Sequence, residues 1–146
     1  MASKSKDTEK TKTPENATKE ETKFIHDHAD ELSSSVQSAK WIHSPDEHED
    51  RPGQTLVTQS HNVIKAWAEE RNATPATVEG TEHNGQPGVL RLNFPDYGGH
   101  DLMKINWDTW FKPFDDRQLL FIFQQHKRDG DMSNFFRLDN PNRDDG

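Results

Sequence analysis

The pattern of apolar and polar residues divides the chain into a polar N-terminal part and an apolar remainder. Nearly all of the aromatic residues lie between residues 59 and 139. Residues 1–23 are mostly Lys, Glu, Thr, Ser and Asp, and such a segment cannot bury enough apolar surface to fold. The pattern therefore predicts a folded domain over 59–139, with a tail and linker over 1–58 and a flexible tail over 140–146.

The N-terminal tail and linker are predicted to be disordered or weakly helical. Over 24–36, apolar residues recur at roughly helical spacing, but three consecutive serines disfavour the later turn. Over 43–58, Pro45, Pro52 and Gly53 interrupt a cluster of acidic residues. Such a composition indicates extended or irregular chain.

The first helix of the domain is predicted directly after Ser60. This residue is a favourable N-cap for the segment 61–71, whose apolar side chains share one helical face while its charged side chains point away. Asn72 and Pro75 are expected to end the helix, because asparagine tolerates the left-handed conformation and proline cannot continue a helix.

A second helix is predicted over 107–114, where aromatic residues are spaced i, i+3, i+4 and i+7. Asn106 can cap its N-terminus. Pro113 lies beyond the first helical turn, where its ring clashes with a preceding carbonyl group and its missing amide removes a hydrogen bond. The helix is therefore predicted to end or kink near Lys112.

Two β-hairpins are predicted, one after each helix. Runs at 76–81 and 88–94 flank an Asn-Gly dipeptide, and runs at 119–125 and 133–139 flank an Asp-Gly dipeptide. Both dipeptides suit the positive backbone φ angles of tight turns. The run 119–125 is apolar on both faces, which is typical of a central strand, and 102–105 is a further extended candidate.

The element order α-β-β-α-β-β indicates the α+β class. We expect a small two-layer domain in which two helices cover one face of a mainly antiparallel sheet of about four strands. Trp67 precedes Asn84 by nearly the same distance as Trp110 precedes Asp129. The two halves could therefore be a degenerate duplication.

Charge and composition narrow the range of functions. Lys and Arg total 18 and Asp and Glu total 26, so the net charge is −8, and there is no cysteine. The absence of cysteine excludes disulfides and thiolate metal sites, and the chain is too short for a large multidomain enzyme.

No apolar stretch can span a bilayer or act as a signal peptide, so we expect a soluble cytoplasmic protein. The charge disfavours general nucleic-acid binding, and it is too modest and evenly mixed for a DNA mimic.

Several motifs resemble a known family. They are HNVIKAWAEERNATPATVEGT, GVLRLNF, INWDTWFKPFDDRQLLFIFQ and SNFFRL, in that order over about 60–139. The order is similar to that of a family of small bacterial proteins of unknown function, some of which carry the name 1,4-alpha-glucan branching enzyme. Glucan branching requires a carboxylate nucleophile and an acid on a scaffold such as a barrel of about 250 residues, which this chain cannot form. The sequence departs from the relatives at Pro113, where they carry ordinary helix formers.

Four histidines in a short acidic stretch could in principle bind zinc, nickel or copper. They are His26, His28, His43 and His48. Metal sites need ligands held by ordered neighbours, and the predicted tail offers no stable frame. We therefore predict neither a metal site nor a cofactor.

Three aspartates that flank the aromatic helix could serve as an acid and base pair. They are Asp108, Asp115 and Asp116. The first suits the positive end of the helix dipole, and the other two suit the turn that follows the helix. No phosphate-binding glycine loop, nucleophile elbow or HExxH motif occurs, so we expect no catalytic residues, although enzymatic activity stays open.

The aromatic residues give the strongest indication of a binding role, because they exceed what a core of this size needs. Tyr97, in a loop beside His100, is the aromatic residue that we most expect to be exposed. Arg91 belongs to a series of basic residues that could bind single-stranded nucleic acid, although such residues usually form a solvated strand face. The predicted binding residues are Tyr97, His100, Trp107, Trp110 and Arg91.

Two functions are compatible with these patterns. The first is a non-enzymatic interaction or accessory domain that binds a protein partner or associates with itself, without nucleic acid or membrane. The alternative, implied by the name of the relatives, is an alpha-glucan-associated protein acting as a binding module. It requires an exposed tryptophan beside carboxylates in a groove, because sugars stack on indole rings, and it loses its basis if Trp67, Trp107 and Trp110 are all buried.

Overall fold

The structure, a computed structural model, describes residues 14–95 and 102–141 of the chain. In these residues there are four helices and seven strands, so the predicted α+β class is confirmed. The helices are α1 (Lys19–Asp27), α2 (Ser34–Gln37), α3 (His61–Glu70) and α4 (Trp107–Asp116). The strands are β1 (Lys40–Trp41), β2 (Thr55–Thr58), β3 (Thr74–Val78), β4 (Leu90–Asn93), β5 (Leu102–Lys104), β6 (Leu120–Gln124) and β7 (Phe136–Asp139).

The strands form two sheets rather than the single sheet of about four strands predicted from the sequence. One sheet has the order β1-β2-β6-β7 and the other has the order β4-β3-β5. Among the seven described strands, β1 and β2 pair in parallel, and the remaining strand pairs are antiparallel. In the described residues, no helix is long and apolar enough to cross a membrane.

Helix α3 has the predicted start and a well-defined end. The Ser60 hydroxyl accepts a hydrogen bond from the Val63 amide at 3.3 Å. Asn72 has φ +58°, and the Ala73 amide donates to the Ala68 carbonyl at 2.9 Å, which satisfies the last turn. The helix is therefore terminated by Asn72, while Pro75, predicted to help end it, lies within β3.

Helix α4 continues through Pro113 to Asp116, so the predicted end near Lys112 is wrong, while the alternative of a kink there stays a prediction. Pro113 is buried between the buried rings of the helix, so packing offsets the lost hydrogen bond. The Asn106 side chain accepts from the Thr109 amide at 2.7 Å, as predicted for the N-cap. Helix α4 ends like α3, with Gln118 at φ +56° and the Leu119 amide bonded to the Phe114 carbonyl at 3.0 Å.

Both predicted hairpins are present. Strand β3 pairs with β4, and β6 pairs with β7. Side chains of β6 alternate between two cores, as expected of a central strand: Phe121 and Phe123 lie in one core and Leu120 and Ile122 in the other. The first core contains the buried faces of α3 and α4.

The predicted duplication is visible as a repeated β-α-β-β unit. The first unit is β2-α3-β3-β4 and the second is β5-α4-β6-β7. From the helix onward, each element of the second unit begins 46 residues after its counterpart, as His61 and Trp107 show. The hairpin registers agree as well, because the pair Thr74 and Asn93 becomes Leu120 and Asp139.

The two units exchange their first strands. Strand β2 pairs with β6 of the second unit, and β5 pairs with β3 of the first. Each sheet is thus completed by the other unit. Trp67 of α3 donates its indole N–H to the Gln124 carbonyl of β6, and Trp110 of α4 donates to the Arg91 carbonyl of β4, both at 2.9 Å.

The arginine that follows each helix also binds the hairpin of the other unit. Arg71 donates to the carbonyls of Gln125 and Ser133 at the end of the second hairpin. Arg117 donates to the carbonyls of Pro87 and Gly88 in the first, both at 2.8 Å. These bonds join backbone of one unit to a helix end of the other, so the two units form one body.

The folded region begins before residue 59, which corrects the predicted boundary of the tail and linker. Strand β2 lies within the larger sheet. Helices α1 and α2 cover the outer face of that sheet, where Ile25, Val36 and Trp41 are buried. The polar composition of this segment masked one local signal for helix α1, a capping box at Thr18. The Thr18 hydroxyl accepts a hydrogen bond from the Glu21 amide at 3.0 Å.

Candidate functional site

A cleft of about 160 Å³ opens between α3, the segment 42–50 and the end of β6. Its floor is apolar and includes Ile42, Leu56, Val63, Ala66, Trp67 and Phe123. Its rim is polar and includes Glu47, His48, Asp50, Glu70 and His126, and the buried Glu49 also lines the cleft. Concave sites with an apolar floor and a few polar groups are the usual form of a binding site, so this cleft is the candidate site.

Helix α3 provides one wall through regular helical spacing. Val63, Ala66, Trp67 and Glu70 follow the i, i+3, i+4, i+7 pattern and therefore line one face. Ala66 is half-buried and has the smallest side chain of the four, so it leaves open the space that a larger residue would fill. Glu70 is exposed at the C-terminal end of α3.

The opposite wall is held in place by a buried carboxylate. Glu49 is 6% exposed and bonds to Arg51 at 2.8 Å and to Lys40 at 3.1 Å. The Arg51 guanidinium lowers the pKa of Glu49 to about 2 against the opposing effect of burial, and the Arg51 amide and Lys40 lower it further. Arg51 also binds Glu15 at 2.9 Å, which ties this wall to the start of the described chain.

A second set of polar contacts connects the same wall to α1. The His43 Nε2 atom lies 2.8 Å from Glu21 of α1. Glu47 accepts a hydrogen bond from the Asn16 side chain at 2.8 Å and another from the His43 amide at 3.3 Å. The acidic segment predicted to be a linker is therefore a structured wall of the cleft.

The third wall is the end of β6, with Gln125 and His126. The Gln125 side chain donates to Glu70 at 3.3 Å, and the Gly53 amide donates to the His126 carbonyl at 3.0 Å. Gly53 has φ +73°, and an added Cβ would lie 2.9 Å from an atom of the Arg128 side chain. A glycine is therefore suited to the approach of these two segments.

Trp67 lies at the floor of the cleft but is almost completely enclosed. It is 2% exposed and contacts Phe121, Phe123 and Phe136 edge-on. The Arg71 guanidinium lies 4.2 Å from the indole centroid, a cation–π geometry. Trp67 therefore shapes the floor without presenting a free ring face on which a sugar could stack.

The charges that face the cleft are predominantly negative. Four carboxylates and two histidines line it. Among the described residues, no lysine or arginine does so. Glu49 is paired with Lys40 and Arg51, and Glu70 is paired with Arg71 at 3.2 Å, so the excess negative charge comes mainly from Glu47 and Asp50.

The residues predicted from the sequence to bind a ligand do not line this cleft where the structure describes them. Trp110 is fully buried, Trp107 is half-buried against Phe111 at 5.2 Å between ring centroids, and the Arg91 side chain is exposed. Tyr97 and His100 lie outside the described residues. Trp110 is thus a core residue, and a binding role for the others stays a prediction.

No group of three histidines or carboxylates in the described residues has the arrangement of a metal site. Asp115 lies 2.8 Å from the Nε2 atom of His61, whose ring stacks on Phe111 at 3.9 Å. This contact joins the start of α3 to the end of α4. Asp108 lies in the first turn of α4, where it complements the helix dipole.

Comparison with known proteins gives no further guidance on this site. A scan against models of protein families and searches of curated proteins and of solved structures returned no match. The resemblance over 60–139 therefore stays an expectation.

Proposed function

We propose that the protein is a non-enzymatic binding domain that engages a protein partner through the cleft. The observation that supports the proposal is the cleft between α3 and the segment 42–50, where the half-buried Ala66 lies among buried apolar residues. A side chain from a partner can displace water from such a cleft and gain the free energy of apolar burial.

The lowered pKa of Glu49 and the hydrogen bonds of Glu47 and Glu70 favour binding over catalysis. A general acid or base works best with a pKa near the working pH. The Arg51 guanidinium instead lowers the pKa of Glu49 to about 2. Glu47 accepts hydrogen bonds from Asn16 and His43, and Glu70 accepts from Arg71 and Gln125. These hydrogen bonds hold the walls of the cleft in place.

The proposal is tested by filling the cleft with a neutral side chain. Ala66→Gln extends a glutamine into the cleft, whereas Glu69→Gln places the same residue on α3 outside it. Immobilised wild type and Glu69→Gln should retain the same protein from a cell lysate, and Ala66→Gln should lose it. Urea unfolding of each variant checks that the fold is intact.

Three results have different meanings in this test. Identical proteins on all three samples would contradict the proposal that the cleft is the binding surface. If the retained protein is a second copy of this chain, sedimentation velocity of the wild type should show a dimer that Ala66→Gln lacks. Retention of glucan without protein would favour the alternative function.

The alternative, an alpha-glucan-binding module, is supported by Trp107. This indole is the half-exposed tryptophan of the domain, and the exposed Asp108 carboxylate is next to it in the chain. The glycan hypothesis requires such an indole together with carboxylates in a groove, and Trp107 does not line the 160 Å³ cleft. Electrophoresis through a glycogen-containing gel should show retardation of the wild type that Trp107→Ala abolishes if the module binds glucan.

A further inference from the structure

We propose that the occupant of the cleft is a lysine or arginine side chain from a basic segment of the partner protein. This inference rests on the proposed function and adds the chemistry of the partner to it. The shape of the cleft and the charge at its opening both support this choice.

The apolar floor matches the stem of a long basic side chain. Lysine and arginine carry three or four methylene groups that pack on apolar surface while the charged end stays in water. Ala66 is half-buried beside the buried Val63 and Leu56 in the lining, and the exposed carboxylates Asp50 and Glu70 line the same cleft. A basic side chain that enters the cleft therefore meets apolar atoms first along its stem and acids at its charged end.

The two carboxylates best placed to meet the charged end are Asp50 and Glu70. Both residues are exposed, and they lie on opposite walls of the cleft. Glu70 accepts single hydrogen bonds from Arg71 and Gln125, which leaves acceptor capacity because a carboxylate can accept about four. A cation between these walls would therefore find acceptors on both sides.

Other side chains fit less well. An acidic side chain would meet four carboxylates and, among the described lining residues, no lysine or arginine. A purely apolar side chain would fill the floor but partly desolvate the rim carboxylates without pairing them, which costs free energy. The net charge of −8 over the whole chain also attracts a basic partner over long range.

The test is a titration of the isotopically labelled full chain with end-capped peptides, followed by NMR. The peptides share the frame acetyl-Gly-Ser-Xaa-Ser-Gly-amide, and the central residue is lysine, arginine, norleucine or glutamate. The lysine and arginine peptides should shift the amide signals of Ala66 and Gln125. The norleucine peptide, which keeps the stem without the charge, should bind about five- to tenfold more weakly.

Two matched double variants test the role of the rim. Asp50→Asn with Glu70→Gln removes two charges at the cleft. Asp46→Asn with Glu69→Gln removes two exposed charges from the same two segments, at residues that do not line it. The first variant should weaken the lysine peptide about five- to tenfold, and the second should leave its affinity within about twofold.

The outcomes separate the two proposals. Equal binding of the lysine and norleucine peptides at the cleft would overturn the basic occupant and leave the cleft as the binding surface. Preference for the glutamate peptide would have the same meaning. If no peptide shifts signals of the cleft, both proposals fail. Equal weakening by the two double variants would show a general effect of charge and would overturn the specific role of the rim.

Discussion

Glu49 makes the stability of the fold dependent on pH. The Arg51 guanidinium, aided by Lys40, lowers the pKa of this buried carboxyl from an ordinary value of 4.5 to about 2. The folded protein thus binds this proton less readily than the unfolded chain. The stabilisation is fully present above pH 4.5 and is lost as the pH falls from 4.5 towards 2.

We expect Glu49→Gln to remove much of this dependence. At pH 7 the variant should be about 1–3 kcal/mol less stable than the wild type, because the charged hydrogen bonds to Arg51 and Lys40 are lost. Near pH 2 the two proteins should converge. Urea unfolding measured between pH 7 and pH 2 gives both values.

The exposed Glu69 provides the control for this measurement. Glu69→Gln removes one carboxylate without touching the walls of the cleft, so its stability should follow the wild type across the same pH range. A constant difference between Glu49→Gln and wild type at every pH would show that the Glu49 carboxylate is not the group responsible.

Trp41 combines complete burial with an unused donor. Its indole N–H has no hydrogen-bond partner among the described residues, which is unfavourable for a buried polar atom. Trp41→Ala should cost about 3–5 kcal/mol through the cavity that it leaves. Trp41→Phe keeps a ring and removes the donor, so it should cost only about 1–2 kcal/mol. Chemical denaturation of the two variants measures both losses, and a loss for Trp41→Phe well above about 2 kcal/mol would show that the indole N–H is satisfied.

The residues of the cleft show what sequence could not predict at this scale. The pattern placed Val63 and Trp67 correctly on a buried helical face because helical spacing is a local property. It could not place Asp50 or Glu49 beside that face, since their position depends on partners such as Lys40, Arg51 and Glu15. Surplus aromatic residues suggested Trp110 as a binding residue, but its ring and its N–H are both used within the fold.

At the scale of elements, Pro113 destabilises the backbone of α4, and the packing of its buried ring offsets part of that loss of stability. The proline removes one helical hydrogen bond from α4 and places its ring near the carbonyl of Thr109, a penalty of about 3 kcal/mol in an ordinary helix interior. Pro113→Ala should therefore raise the free energy of unfolding by about 1–2 kcal/mol after the loss of ring packing is subtracted. Thermal and urea unfolding would check this, and a less stable variant would show that the buried ring contributes more than the backbone strain costs.

The arginines at the ends of α3 and α4 should stabilise the fold through the opposite hairpin. Arg117→Met removes two hydrogen bonds to the carbonyls of Pro87 and Gly88 and should cost about 1–3 kcal/mol. Arg71→Met should cost more, because Arg71 is buried and bonds to three carbonyls. Urea midpoints of the two variants measure these effects.

The exposed Arg91 is the matched control for the two helix-end arginines. Its side chain bonds to one carbonyl, that of Leu90, in its own strand. Arg91→Met should therefore change stability by less than about 0.5 kcal/mol. If Arg117→Met is no more harmful than Arg91→Met, the contacts between the two units do not depend on the helix-end arginine.

The elements that sequence predicted are those specified by local signals. Ser60, Asn106 and the two turn dipeptides mark helix starts and hairpins within a few residues of the chain. Strands β1 and β2 are only two and four residues long, and their pairing depends on strands far away in the chain. A short strand between prolines and acids has no local pattern that distinguishes it from a linker.

At the scale of the whole molecule, the N-terminal segment is part of the fold. Removing residues 1–58 would delete β1 and β2 together with helices α1 and α2. It would expose the core that these helices cover, including Ile122 of β6. We expect the fragment 59–146 to lose cooperative unfolding in urea and the dispersed amide spectrum of a folded protein. These two measurements need no knowledge of the ligand.

A shorter deletion provides the comparison. Residues 1–13 are almost entirely polar and offer little apolar surface to bury, so removing them should leave the urea midpoint unchanged. Cooperative unfolding of the 59–146 fragment would mean that the repeated units hold together without β2, and would restore the domain boundary predicted from the sequence.

The exchange of β2 and β5 between the two repeated units also constrains how the protein can fold. During synthesis β2 leaves the ribosome long before β6, its partner, has been made. Neither sheet can therefore form completely until the second unit has been made, and long-range strand pairing of this kind slows folding.

The same exchange predicts how fragments of the chain behave. Separate polypeptides covering 14–95 and 102–141 should each have an unpaired sheet edge that the other polypeptide completes. Mixed together, they should reassemble as two interlocked chains.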